Sequence, residues 1–355
     1  MKRLRFLKIL VFLLSLAALT PGWQADRAAA AVGDKAAAAS EEGGGRGEGY
    51  QPEKPEGGPE AGKAEGKEGK EEEAKENECP ATFGPIITDT AIPIEKGKFA
   101  VQPTFGLSLV TSNFDKDWRR VSAGGNFQSF NMTWKFTYGL INNLEVYLII
   151  PYIHNWASDV DEPGPGGERS SNFGGLGDVS FTLKYRLVEE TSILPTISAI
   201  FTPSFPTGHF RHLNPSRLGT DAIGRGSYIF TTGFNMSKYL KPFILYGNFW
   251  YSMQTAYTSD EGRVYPRDFV TVNLAAEYPF TKKWVGLLEL TSFWDGGRLF
   301  GQKANTPPGA LVSILPGLEF MATDKFSLAF GVNVDLAGKN TNANVTPVLS
   351  MVYAF

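Results

Sequence analysis

The chain of 355 residues has one cysteine, Cys79, so no disulfide can form within it. That excludes the small secreted folds that rely on disulfides for stability. With three histidines and no Cys-x-x-Cys-His run, it cannot attach a haem of its own. No cofactor and no metal is expected. After the first twenty residues no apolar run is long enough for a transmembrane helix, which needs about 20 residues. Nor is there an excess of one charge beyond Cys79, where 22 acidic residues face 22 basic ones. Without a basic surface, nucleic acid is not an expected partner.

The composition changes sharply along the chain. Lys2, Arg3, Arg5 and Lys8 precede the apolar run Ile9 to Leu19, which Thr20-Pro21-Gly22 ends; Ala28 to Ala31 then supply small residues. This pattern predicts a secretory signal peptide over 1–31, cleaved near Ala30 or Ala31. Residues 32–80 are built from Glu, Gly, Lys, Ala and Pro, and 41–78 hold 13 Glu against 6 Lys or Arg. Such a segment cannot bury enough apolar surface to fold, and a disordered acidic tether is expected there. Within it, Gly57 to Lys63 imitates the start of a phosphate-binding loop, but Ala64 replaces the Ser or Thr and no strand or helix flanks it. Cys79 follows Glu76-Asn77-Glu78, which lacks the small and apolar residues of a lipid-attachment site, and reads as a lone unreactive thiol.

From 81 to 355 the pattern is alternation. In the stretch Phe130 to Tyr138, the residues Phe130, Met132, Trp134, Phe136 and Tyr138 fall on one face, and Asn131, Thr133, Lys135 and Thr137 on the other. Twelve segments of this kind are predicted as strands: 98–111, 127–138, 143–154, 177–189, 194–204, 227–238, 242–253, 268–279, 284–295, 310–321, 325–335 and 345–355. Short connections near 139–142, 190–193, 239–241, 279–283 and 322–324 alternate with long ones, among them 158–175, 206–226, 256–267 and 296–308. Strands of about ten residues with alternating short and long connections predict an all-β fold, a transmembrane antiparallel barrel of the bacterial outer membrane. An even number of strands places both termini in the periplasm. The last strand ends on alternating Leu349, Met351, Tyr353 and Phe355. This resembles the C-terminal signal read by the barrel-insertion machinery, an expected partner alongside outer-membrane lipid.

If aromatic faces meet lipid, the opposite faces line the lumen. The same parity then selects Lys135, Glu145, Asp178, Lys184, Arg186, Glu277, Glu289, Glu319 and Asp335 as candidate lumen-lining ionisable residues. Most lie close to the short turns, with Glu289 nearer mid-height. They can form a mixed-charge constriction that selects solutes, or a set of paired charges that braces and plugs a narrow barrel. Twelve strands enclose more space than eight but less than sixteen, so alternation leaves both open.

Candidate chemistry elsewhere is thin. His209 and His212 lie in a long loop with no third ligand nearby, and a solvent-exposed loop accounts for them. His154, followed by Asn155 and Ser158, could act as the base of a surface hydrolase, but no nucleophile accompanies it in sequence.

Gly174-Gly175-Leu176-Gly177-Asp178 leading to Lys184-Tyr185-Arg186, with Pro203-Ser204-Phe205-Pro206-Thr207-Gly208, resembles a bacterial family named for the MetA pathway of phenol degradation. The resemblance runs from about Thr88 onward and leaves out the acidic segment. It implies an outer-membrane channel for passive, selective diffusion of small solutes, aromatic or otherwise hydrophobic. Two other functions are carried beside it: a non-transporting sheath around a periplasmic electron carrier, and a surface hydrolase working through His154.

Overall fold

The structure is a computed structural model that describes residues 82–260, 262–301 and 303–355. The expected signal peptide, the acidic segment 32–80 and Cys79 lie outside the described residues. Twelve long strands follow one another: β1 Phe99–Phe114, β2 Asn126–Ile141, β3 Leu144–Ser158, β4 Val179–Val188, β5 Thr196–Phe205, β6 Ile229–Leu240, β7 Phe243–Gln254, β8 Phe269–Pro279, β9 Trp284–Asp295, β10 Gly309–Thr323, β11 Phe326–Lys339 and β12 Thr341–Ala354. Each pairs antiparallel with the next, and β12 pairs with β1 from Ala100↔Ala354 to Phe114↔Thr341. The sheet is therefore a closed barrel of twelve strands, as the alternation predicts. Closure leaves no strand edge unpaired, a condition for a sheet surrounded by lipid.

Burial runs opposite to that of a soluble sandwich. Leu288 on β9 is 50% exposed, whereas the adjacent Glu289 is 0% exposed. Along the wall Leu183, Phe201, Phe234, Phe249 and Phe330 point outward in the same way. Ser198, Asn235, Asn248, Asn273 and Ser313, buried, face in. An apolar exterior over a polar interior is the arrangement a bilayer stabilises. Aromatic pairs gather at the short-turn end, where Phe99 and Phe355 lie 5.6 Å apart, Trp284 and Phe320 4.8 Å, and Phe243 and Tyr278 5.3 Å. Such rings favour the membrane interface.

Several strands carry a proline in mid-course, and proline has no N–H for the ladder. The pairing skips at these places. β1 passes from Val101↔Tyr353 to Thr104↔Ser350 around Pro103, β5 pairs with β4 on either side of Pro203, and β10 with β11 on either side of Pro316.

Two expectations need correction. The interval 336–344 between the last two expected strands is not a loop, because β11 and β12 extend into it and only Asn340, with φ 49°, separates them. Asparagine tolerates that left-handed conformation, and there the chain turns while β11 pairs with β10 and β12 with β1, their mutual pairing having ended at Val334↔Val345. The fourth strand begins at Val179 rather than 177, preceded by a separate segment, Ser171–Leu176, that also pairs with β3. The loops after β7 and β9 add a small sheet of their own, Tyr257–Ser259, Gly262–Pro266, Arg298–Phe300 and Lys303–Thr306.

Candidate functional site

Residues 82–98 have no periodic pattern and join no sheet, yet they run through the barrel interior at the short-turn end before entering β1. Each step of this strap is held by a different part of the wall. The Thr82 hydroxyl donates to Glu319 on β10 at 2.7 Å, and the Phe83 N–H to the same carboxylate at 3.3 Å. Glu289 on β9 then accepts from the backbone N–H groups of Ile86, Ile87 and Thr88 at 2.8, 3.1 and 2.7 Å. Asp89 N–H donates to Asn248 on β7, and Ala91 N–H to Ser237 on β6. Ser198 on β5 donates to the Ala91 carbonyl. Ile94 N–H reaches Glu145 on β3 at 2.7 Å. The strap finally turns onto β2, where Gly97 N–H donates to the Gly139 carbonyl and Gly139 N–H to that of Lys98. A Cβ at Gly139 would collide with the Glu95 carbonyl, so this approach requires glycine.

Where an irregular segment passes through an interior, its backbone donors must find acceptors. Here the inward carboxylates and hydroxyls of the wall accept them in place of a neighbouring strand.

Asp89 lies at the centre of the strap. Its carboxylate is 3.1 Å from Lys135 Nζ and 3.3 Å from Lys184 Nζ, and it accepts from Asn235 at 2.8 Å. Lys184 also pairs with Glu145 at 2.8 Å and donates to the Thr90 carbonyl at 2.9 Å. Two carboxylates and two ammonium groups thus balance, with Lys135 also lying 4.1 Å from the Tyr147 ring centroid. Burial works to raise the Asp89 carboxyl, but the Lys135 and Lys184 ammonium groups overcome it and lower it to about 2.

The other inward residues divide by partner. Glu277 accepts from Tyr246 at 2.8 Å, and its second oxygen is buried with no partner among the described residues. Arg186 donates to Asn143 at 2.7 and 3.1 Å and lies 3.5 Å from Glu189. Asp335 accepts from Ser313 and from both the backbone and side chain of Asn344, tying β10 to β12. Asp178 sits in the break before β4, and its two oxygens accept from Gly208 and Arg225 N–H at 2.9 and 2.8 Å. It thereby fixes the loop 206–228 rather than the strap.

Above the strap hydroxyl pairs line part of the wall. Thr182 pairs with Thr202 at 2.8 Å, Thr231 with Ser252 at 2.7 Å, Thr104 with Ser350 and Ser108 with Thr346 at 3.0 Å. At the far mouth the loop 206–228 reaches from Asn155 on β3, which donates to the Thr220 carbonyl, to Tyr257 beyond β7, against which Phe210 packs edge-on. His209 Nδ1 lies 2.9 Å from the Asp221 carbonyl, and the highly exposed His212 lies 3.4 Å from Asp260. His154 stacks on Trp156 at 4.2 Å, and its buried Nε2 has no hydrogen-bond partner among the described residues.

The strap is what sequence reasoning missed. Ile86, Ile87, Ile92 and Ile94 flank Thr88-Asp89-Thr90 without alternation. Isoleucines directly after so apolar-poor a stretch were a signal, and Ile86 packs against the buried Val285, Leu287 and Ala329.

Closure, an apolar exterior and a polar lumen define the protein as a β-barrel of the outer-membrane class. A family model described as the MetA-pathway of phenol degradation matches residues 140–347, more than half of the chain, and the protein belongs to that family. No curated protein matches the sequence. Among solved structures, an outer membrane channel from Pseudomonas putida F1 is similar with a TM-score of 0.62 and 16% identity, over 77% of this chain and 100% of that one. The translocator domain of an autotransporter from Neisseria meningitidis is similar with a TM-score of 0.44 and 13% identity, over 74% of this chain and 90% of that one. At these identities the likeness concerns the barrel fold.

Proposed function

We propose that the protein is a channel for passive, selective diffusion of small solutes across the outer membrane, constricted at its short-turn end by the strap. The observation that carries this reading is how the strap is attached. It crosses the lumen on side-chain hydrogen bonds and ion pairs from the wall, with no strand pairing, whereas above it hydroxyl pairs line part of the wall and only a few charged groups, Asp335 and Arg225 among them, remain. A sheath around a protein partner would need that passage clear, and the strap occupies it. The short turns and both chain ends of the barrel face the periplasm in this reading, and the long loops face outward. Of the nine residues selected by parity, Lys135, Glu145, Lys184, Glu289 and Glu319 hold or surround the strap, and Asp178 holds the outer loop.

Single-channel recording and liposome swelling with the full, folded chain test the proposal. Flux of small neutral solutes above that of protein-free liposomes is expected. Complete impermeability, with the strap in place and equally after its displacement by substitution, overturns it.

A further inference from the structure

Arg225 stands apart from the other cations of the lumen. Lys135 and Lys184 have carboxylate partners and Arg186 an amide. No described residue accepts a hydrogen bond from the Arg225 guanidinium or pairs with it as an ion. Its backbone is fixed by Asp178 Oδ2, and Gly224 beside it packs against Gly208 so closely that a Cβ there would meet Gly208 backbone. The side chain is therefore carried on a pinned loop, and its guanidinium carbon lies 5.0 Å from the Phe269 ring centroid and 5.9 Å from that of Phe293.

Both rings have the inward parity of their strands: Phe269 alternates with Asn273 and Glu277, and Phe293 with Leu287 and Glu289, all four of them buried. The rings lie 5.2 Å apart and tilted by 49°. Asp295, at the end of β9, and Arg298 also act electrostatically on Arg225, but the Asp295 Oδ1 atom is engaged by the Gly297 N–H at 2.6 Å and no ion pair forms.

A guanidinium with five donors, none of them taken up by a described residue, placed against an aromatic pair is built for a planar anion. Arginine matches a carboxylate with two parallel hydrogen bonds. Phenylalanine rings accept the flat face of an aromatic guest at centroid distances of about 4.5–7 Å. We infer that Arg225, Phe269 and Phe293 form an entry site, inside the long-loop mouth, for small aromatic monocarboxylates. The inference rests on the channel reading for its purpose and names the solute class. With Asp295 and Asp178 already near, a single negative charge fits better than two.

Calorimetry on the full chain in detergent, with benzoate and benzyl alcohol as probes, separates the carboxylate from the ring. Wild type is expected to bind benzoate roughly tenfold more tightly than benzyl alcohol, because hydrogen bonds to charged groups are worth more than neutral ones. Arg225→Met should abolish that preference while leaving benzyl alcohol binding within about twofold. Arg225→Lys, which keeps the charge and loses the paired geometry, should retain only part of it. Equal binding of the two probes by wild type, or an undiminished preference in a folded Arg225→Met barrel, overturns the inference. Swelling of liposomes in arabinose, a neutral solute indifferent to Arg225, tests the channel reading by itself. Failure there leaves the binding result standing, and loss of the benzoate preference leaves the channel standing.

Discussion

Lys184 Nζ lies 3.3 Å from Asp89 Oδ2, joining the wall to the strap across 95 residues of sequence. Lys184 is 1% exposed, and its two carboxylate partners, Asp89 and Glu145, are nearly as buried. Removing one member of a buried pair strands the others, at a cost of about 3–5 kcal/mol. Lys184→Met should therefore loosen the strap by roughly that amount, seen as faster hydrogen exchange at the amides of 86–91 and as higher conductance. Lys135, whose side chain is 22% exposed, should matter less, so Lys135→Met is expected to give the smaller change in both measurements.

The strap can also be locked. Thr90 Oγ1 and Ser237 Oγ are 3.3 Å apart, within reach of a disulfide once both are cysteine. In a Cys79→Ser background, Thr90→Cys with Ser237→Cys should lower conductance on oxidation and regain it on reduction. Unchanged conductance in a barrel shown by mass spectrometry to be cross-linked would mean that solutes pass without strap movement.

Asp89 also sets a pH window. Its carboxyl is lowered from 3.8 to about 2 in the folded protein, so it stabilises the docked strap by about 2 kcal/mol at neutral pH. For a depressed acid, that contribution is complete above the unfolded value and disappears as pH falls through the folded one. The difference in strap protection between wild type and Asp89→Asn should be constant from pH 8 down to about 4 and shrink towards pH 2, as measured by hydrogen exchange. Loss of the difference near pH 6 would assign the titration to another group.

What the sequence made legible follows from range. Alternation is a property of neighbouring residues, and the twelve strands of the closed barrel were legible from it. The five short turns were legible because each is bounded by two periodic segments. The strap was not, since its period is absent and its partners are distant: Thr82 bonds to a residue 237 positions away, and Ala91 to one 146 away. Asp178 shows the same limit. Parity places it on a wall, but the break between Leu176 and Val179 frees it to hold Gly208 and Arg225. The strand extensions around Asn340 escaped for a different reason, because Ala337, Gly338 and Asn342 carry little hydrophobic contrast in a stretch that nonetheless pairs with β10 and β1.

The wall itself makes the remaining prediction. Leu288, half exposed at the middle of β9, meets lipid, whereas Thr202 on β5 bonds across the lumen wall to Thr182. An arginine at the bilayer midplane costs about 2–4 kcal/mol on the lipid face, because no water reaches it there. Leu288→Arg should therefore destabilise the barrel by roughly that much in reversible urea unfolding from vesicles. Thr202→Arg, facing the lumen, should cost less than half as much and shift ion selectivity towards anions instead. If the two substitutions destabilised equally, the inward and outward faces could not be separated as water-lined and lipid-lined. The channel reading would then lose its physical basis, since the same contrast that makes Leu288 tolerable at 50% exposure leaves Thr202 available to a solute.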